Sequence, residues 1–98
     1  MRDLLDDAAI TTALDDLPGW QREGNSLVRT TELPNFSAAI TVVERVAEIA
    51  EACDHHPDID IRWRTLTFTL STHSEGGITE LDVLLAGAIS EQIAAAQG

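Results

Sequence analysis

Cysteine is almost missing from this 98-residue chain, with Cys53 the only one. An internal disulfide is therefore excluded, and so is a zinc site built on cysteine pairs. Basic residues are scarce too: six Arg and Lys stand against 17 Asp and Glu, a formal charge of −11. That field repels nucleic acid and anionic membrane surfaces, because binding to either rests largely on neutralising phosphate with cations. Neither nucleic acid nor membrane is an expected partner. No apolar run approaches the roughly 20 residues that span a bilayer. The opening "MRDLLDDAAI" is acidic and reads as neither a secretory nor a mitochondrial signal. A soluble protein of the cytoplasm is expected.

There is no repeat, low-complexity tract or linker, so residues 1–98 read as a single domain. A domain of this size hides only about 60–65% of its unfolded surface, and self-association would add stability. A first helix is expected from about Asp6 to Asp16, with Ile10, Ala13, Leu14 and Leu17 on one side and Pro18-Gly19 as the stop. Two short strands flank Gly24-Asn25, a hairpin turn pair. Asn35 is placed to cap a long helix reaching about Cys53, with Phe36, Ala39, Ile40, Val43, Val46, Ala47 and Ala50 as its apolar stripe. "IDIRW" and "TLTFTLSTH" then alternate with period two and form a second hairpin. Thr79 opens a last helix carrying Leu81, Leu84, Leu85, Ala88, Ile89 and Ile93. The expected fold is α+β: a two-layer sandwich, a four-stranded antiparallel sheet of two hairpins with three helices on one face.

All three histidines fall between Asp54 and His73, in "DHHPDIDIRWRTLTFTLSTH". Pro57 cannot continue a helix, so His55 and His56 lie at or just past a helix end, and His73 follows a strand. Adjacent residues diverge on a helix or a strand, and His-x-x-x-His is absent, so a three-histidine metal site is disfavoured. Taken singly, each histidine reads as a helix-terminal or polar-face residue. Together, at a helix end facing a strand end, they suit acid/base chemistry, because imidazole titrates near neutral pH.

The pattern Glu51-x-x-x-His55-His56-Pro57, then Trp63, then Leu70-Ser71-Thr72-His73, then Asp82, resembles the signature of the pterin-4a-carbinolamine dehydratases, also called the dimerisation cofactor family. "HHP" alone is weak; joined to the third histidine after a strand pair it is specific. The dense match runs from Glu51 to Asp82, and element order extends it over nearly the whole chain. The resemblance implies the same α+β fold and a homodimer or homotetramer. It also implies a hydro-lyase that removes water from 4a-hydroxytetrahydropterin to give quinonoid dihydropterin in tetrahydrobiopterin recycling, without cofactor or metal. His55, His56 and His73 map to the catalytic positions, with Glu51, Pro57, Thr72 and Asp82 supporting them or the substrate. Two positions depart: Ile59 stands where the family often has an aromatic residue, and Leu81 where it often has arginine.

The supporting residues have plainer readings as well. Glu51 lies on the wet side of its helix, either solvated or orienting His55. Asp82 follows Thr79 at capping-box spacing, so capping and catalysis both suit it. Trp63 alternates with Ile59 and Ile61 and is expected in the core, while Cys53 follows the buried stripe and is expected to be inert. Arg62 and Arg64 are expected to be solvated or paired with Asp60. A rival function is a non-catalytic homo-oligomeric module that assists a partner protein; another is a pterin- or molybdopterin-related accessory role.

Overall fold

The computed structural model describes residues 3–97. Its elements are α1 (Asp7–Asp15), β1 (Gln21–Glu23), β2 (Ser26–Glu32), α2 (Phe36–Cys53), β3 (Asp58–Arg62), β4 (Thr65–Leu70), a 3₁₀ turn (His73–Glu75) and α3 (Glu80–Gln97). The strands form one antiparallel sheet in the order β1-β2-β4-β3. Each hairpin closes with a two-residue turn, Glu23 opposite Ser26 and Arg62 opposite Thr65. Gly24 supplies the positive φ that the first turn needs.

The three helices cover one face. Leu66, Phe68 and Leu70 of β4 point into the core, while Thr65, Thr67 and Thr69 alternate away from it. On that outer face the hydroxyls of Thr30 and Thr67 meet across strands at 3.0 Å. Phe68, Leu27, Leu33, Val42, Val46 and Ile89 form the centre of the core, with Trp20 and Ile10 at its side. The fold class, the hairpins and the one-sided helix layer agree with the sequence reading.

Local chemistry sets the helix ends. Asp6 and Asn35 cap α1 and α2, their side chains accepting from the N–H of Ala9 and Ala38, each at 2.8 Å. The α2 terminus is less ordinary. Asp54 adopts the left-handed conformation (φ 51), and the His55 N–H returns to the Ala50 carbonyl at 3.1 Å. That six-to-one bond marks a Schellman-type stop with aspartate where glycine is usual. It throws the chain off the helix at the first histidine.

The finer expectations on faces need correction. The buried residues of α2 are Ala39, Val42, Val46 and Ala50; Phe36 and Ala47 face outward, and Val42 takes a place the predicted stripe omitted. In α3 the buried set is Asp82, Leu85, Ala86, Ile89 and Ile93, while Leu84 is exposed. The α2 helix has a broad apolar arc beside its polar face and α3 is apolar on most sides, so periodicity alone does not fix which apolar positions are buried. Trp63 is not a core residue: it occupies the β3–β4 turn with φ 54, is 69% exposed, and has Arg64 stacked 4.9 Å from its ring centre. Ile61 is exposed as well, since β3 is the sheet edge and the helix layer does not cover its far end. Cys53 is exposed and not buried. Arg62 pairs with Asp60 at 3.2 Å, but Arg64 pairs with Glu32 at 3.3 Å.

Candidate active site

Three chain segments meet at the end of the sheet where α2 stops. β3 and β4 run antiparallel with Asp58 opposite Thr69, so continuing that register past the strand ends brings His55 level with Thr72. The first turn of α3 then lies against both. Its Asp82 carboxylate is fully buried, although it belongs to a helix whose other buried residues are apolar.

Donors converge on that carboxylate. His55 Nε2 lies 2.5 Å from Oδ1. Oδ2 accepts the Thr72 hydroxyl at 2.7 Å and the Thr79 backbone N–H at 2.9 Å. The last of these is half of the capping box expected from Thr79-x-x-Asp82, so the structural and the site readings of Asp82 hold together. Proton counting fixes the rest of the network. The Thr72 proton is spent on the carboxylate, so in the 2.8 Å contact between the two threonine hydroxyls Thr79 must donate. The Thr79 oxygen in turn accepts the Leu81 N–H at 3.2 Å. Every buried polar atom of this cluster is satisfied, as low dielectric demands.

The consequence for His55 is chemical. A carboxylate is only an acceptor, so Nε2 carries the proton, and in the neutral ring Nδ1 is left with its lone pair. The His55 side chain is only 11% exposed.

His56 is held in the same sense but far less tightly. Its Nε2 lies 2.5 Å from Glu51 Oε2. Both side chains are in solvent, 53% and 77% exposed, where water screens the pair. Glu51 therefore serves His56 and not His55, a correction to the expected pairing; one turn of helix plus the Schellman stop places residue 56, not 55, over the Glu51 side. The partner of His55 is Asp82.

His73 opens the 3₁₀ turn and is exposed, with no side-chain hydrogen bond to any described residue. Its position is tied to the others through its neighbour: Thr72 hydrogen bonds Asp82, and Asp82 hydrogen bonds His55. Thr72 is further pinned by its N–H to the Gly77 carbonyl at 2.8 Å. Pro57 is half-buried and separates the histidine pair from β3. Trp63 sits at the opposite end of β3 from the histidines, a five-residue strand or about 17 Å away. It is thus no stacking platform for this site within one chain. Leu81, which stands where the family often has arginine, faces an apolar patch with Ile49 and Cys53; the side-chain partners of Asp82 are His55 and Thr72.

Thr79 is the residue whose part in the site was not foreseen beyond capping. The Thr-x-x-Asp spacing signalled the cap, but nothing local showed that the same hydroxyl would reach Thr72. Among the described residues no group of three or more His, Cys, Asp or Glu is arranged to hold a metal ion.

A buried carboxylate that orients one imidazole, with two further histidines on the adjoining segments, is an arrangement able to move protons. Residues 3–92 match the family model for pterin 4 alpha carbinolamine dehydratase, and the chain belongs to that family. Among its relatives, a Nocardia farcinica protein provisionally named pterin-4-alpha-carbinolamine dehydratase is 60% identical over 89 residues, covering 91% of this chain and 94% of its own. A Roseiflexus castenholzii protein with the same provisional name is 54% identical over 93 residues, 95% of this chain and all of the other. The crystal structure of a transcriptional coactivator/pterin dehydratase from Brucella melitensis superposes with a TM-score of 0.90 at 32% identity, over 93% of this chain and 99% of that one. A pterin dehydratase-like RuBisCO assembly factor of the alpha-carboxysome shares the fold, with a TM-score of 0.63 at 16% identity over 76% of this chain and 86% of its own.

Proposed function

We propose that the protein is a 4a-hydroxytetrahydropterin dehydratase, working by histidine acid/base catalysis in the recycling of tetrahydrobiopterin. The observation that carries this reading is the 2.5 Å contact of His55 Nε2 with the buried Asp82 carboxylate, which leaves Nδ1 without a described partner. Dehydration of a carbinolamine breaks the C–O bond as a proton reaches the departing hydroxyl. The neighbouring N–H gives up its proton, and a C=N bond forms. One water leaves and no net proton is gained or lost, so the chemistry needs one acid and one base.

The carboxylates divide the work. An imidazole backed by a carboxylate is helped when it accepts a proton, because the partner offsets the new positive charge, the logic of the serine-protease triad. His55, backed by Asp82, is the base in this scheme. His73, with no described carboxylate partner, is the acid that protonates the hydroxyl. His56, with Glu51 on the open rim, positions the pterin and shuttles protons to water. Thr72 and Pro57 hold the histidine-bearing segments in register, and no cofactor takes part.

A direct assay with synthetic 4a-hydroxytetrahydropterin tests the proposal, read as the rate of quinonoid dihydropterin formation over the spontaneous rate. No acceleration by the folded protein would refute it. A second reading has one observation in its favour, that the similar Brucella melitensis protein is described as a transcriptional coactivator as well as a pterin dehydratase. The chain would then be a homodimeric or homotetrameric module serving a partner protein, or have a molybdopterin-related accessory role. The intact histidine and carboxylate pairs favour the enzyme. Light scattering at micromolar concentration tests the homo-oligomer common to both readings.

A further inference from the structure

Arg29 stands at a core-facing position of β2, in the alternation that also points Leu27 inward, and opposite buried Phe68. An arginine there must find something for its five N–H donors. One of them, on Nη1, goes to the Ser90 hydroxyl of α3 at 3.0 Å. No Asp or Glu of the described residues lies within ion-pair distance. Arg29 shares that serine with Trp20, whose indole N–H donates to the same oxygen at 2.9 Å. Ser90 Oγ therefore already accepts two hydrogen bonds, and its own proton has no acceptor among the described residues.

These groups open into a cleft of about 490 Å³ between the α1–β1 loop, β2 and the second half of α3. Leu17 and Ile93 make apolar walls; Asp16 and Glu91 stand on the rim. The loop approaches so closely that a Cβ on Gly19 would lie 3.0 Å from Arg29 Nε. That closeness, with φ 88, makes glycine the residue that fits. Burial lowers the affinity of the Arg29 guanidinium for its proton, a sign that its charge is partly stripped of water. The cleft shares no residue with the histidine site, and Ser90 lies about 12 Å along α3 from Asp82.

A partly desolvated, planar donor fork beside a free hydroxyl is matched by a planar, bidentate acceptor. The acidic rim and the −11 charge of the chain oppose ligands with several negative charges. The apolar walls favour a hydrocarbon tail. We propose that this cleft is a binding site for a small organic monocarboxylate, which Arg29 and Ser90 hold by its two oxygens.

The Trp20 indole N–H is a built-in reporter, and Trp63→Phe identifies its signal, since the chain has two tryptophans. The full chain is titrated with sodium acetate and sodium butyrate against sodium chloride of equal ionic strength, following the indole N–H by NMR. The expected result is a saturable shift of Trp20 with both carboxylates and none with chloride. Butyrate should bind several-fold tighter because its two extra methylenes enter the apolar walls. Arg29→Gln should weaken binding by roughly tenfold or more, the scale of a lost charge-assisted bond. Absence of a saturable shift, an equal response to chloride, or unchanged binding in Arg29→Gln overturns the assignment. If Arg29→Gln does not fold, Glu91→Lys on the exposed rim takes its place: it should tighten carboxylate binding by about threefold through the reversed rim charge. Unchanged or weaker binding in that variant is equally fatal.

Discussion

Replacing Asp82 by Asn changes one atom and, through the hydrogen-bond count, reverses the working end of His55. In the native site Oδ2 accepts from the Thr72 hydroxyl and the Thr79 N–H, while Oδ1 faces His55 Nε2. An asparagine has one acceptor oxygen and one NH2. Two donors already demand the oxygen on the Thr72 and Thr79 side, so the NH2 must face His55. Nε2 then has to accept, and the imidazole proton moves to Nδ1, the nitrogen proposed to face the substrate. The proposed base becomes a donor and loses the carboxylate that offsets its charge. Loss of a positioned base is worth roughly 10²–10⁴ in rate, and the analogous serine-protease replacement reaches about 10⁴, a value the serine-protease example itself supplies. The fold should be little affected, because every buried atom keeps a partner; a change within about 1 kcal/mol is expected in urea unfolding. Two measurements decide the matter: the dehydration rate, and the ¹⁵N signals of the His55 ring at alkaline pH, which distinguish the two tautomers directly. A native rate together with a native Nε2–H tautomer would refute the reasoning. A reversed tautomer with a native rate would leave the network intact and remove His55 Nδ1 from the chemistry.

Other expectations follow from exposure and backbone geometry. His73→Ala should slow dehydration by roughly 10²–10⁴-fold with an unchanged circular dichroism spectrum, and the double variant with His55→Ala should lose less than the sum of the two if they act as a unit. Glu51→Gln should slow the reaction less than about tenfold and leave the unfolding free energy measured in urea within about 0.5 kcal/mol of native, because its pair with His56 is solvent-exposed. Asp54→Gly should stabilise the chain by up to about 1 kcal/mol, since glycine takes the left-handed α2 stop without a Cβ penalty; urea unfolding reads this, and a loss of stability would count against the cap assignment. Phe68→Ala, a truncation at the centre of the core, should cost about 3–5 kcal/mol, enough to abolish a cooperative transition in a domain this small.

The elements themselves were legible in the chain because their determinants are local. Asn35 caps the helix that begins at Phe36, Gly24-Asn25 turns the first hairpin, and Leu66, Phe68 and Leu70 alternate inward through β4. Each of these depends on residues within a few positions of one another. The spacing Thr79-x-x-Asp82 likewise announced a cap that is present. Which face of a helix is buried was harder to read: α2 and α3 are apolar on several sides, and only contact with the sheet and with each other selected Val42 over Ala47 and left Leu84 outside. Trp63 fits an alternating pattern, yet it ends in a turn at an uncovered sheet edge.

The site shows the same division. That three histidines with a glutamate and an aspartate belong together is an expectation from their order in the chain; the structure shows His55 on Asp82 and His56 on Glu51 as two pairs. Who holds whom was not readable from that order, because the partners are far apart in sequence: 27 residues separate His55 from Asp82 and ten separate Thr72 from Asp82. The sequence left Glu51 between solvent and His55, but a left-handed residue at Asp54 turns the chain so that His56 meets it in solvent. A hydrogen bond needs its atoms within about 3 Å and aligned, a condition set by the strand register and the packing of α3 on the sheet. Local sequence chose the groups, and tertiary packing chose which proton each of them holds.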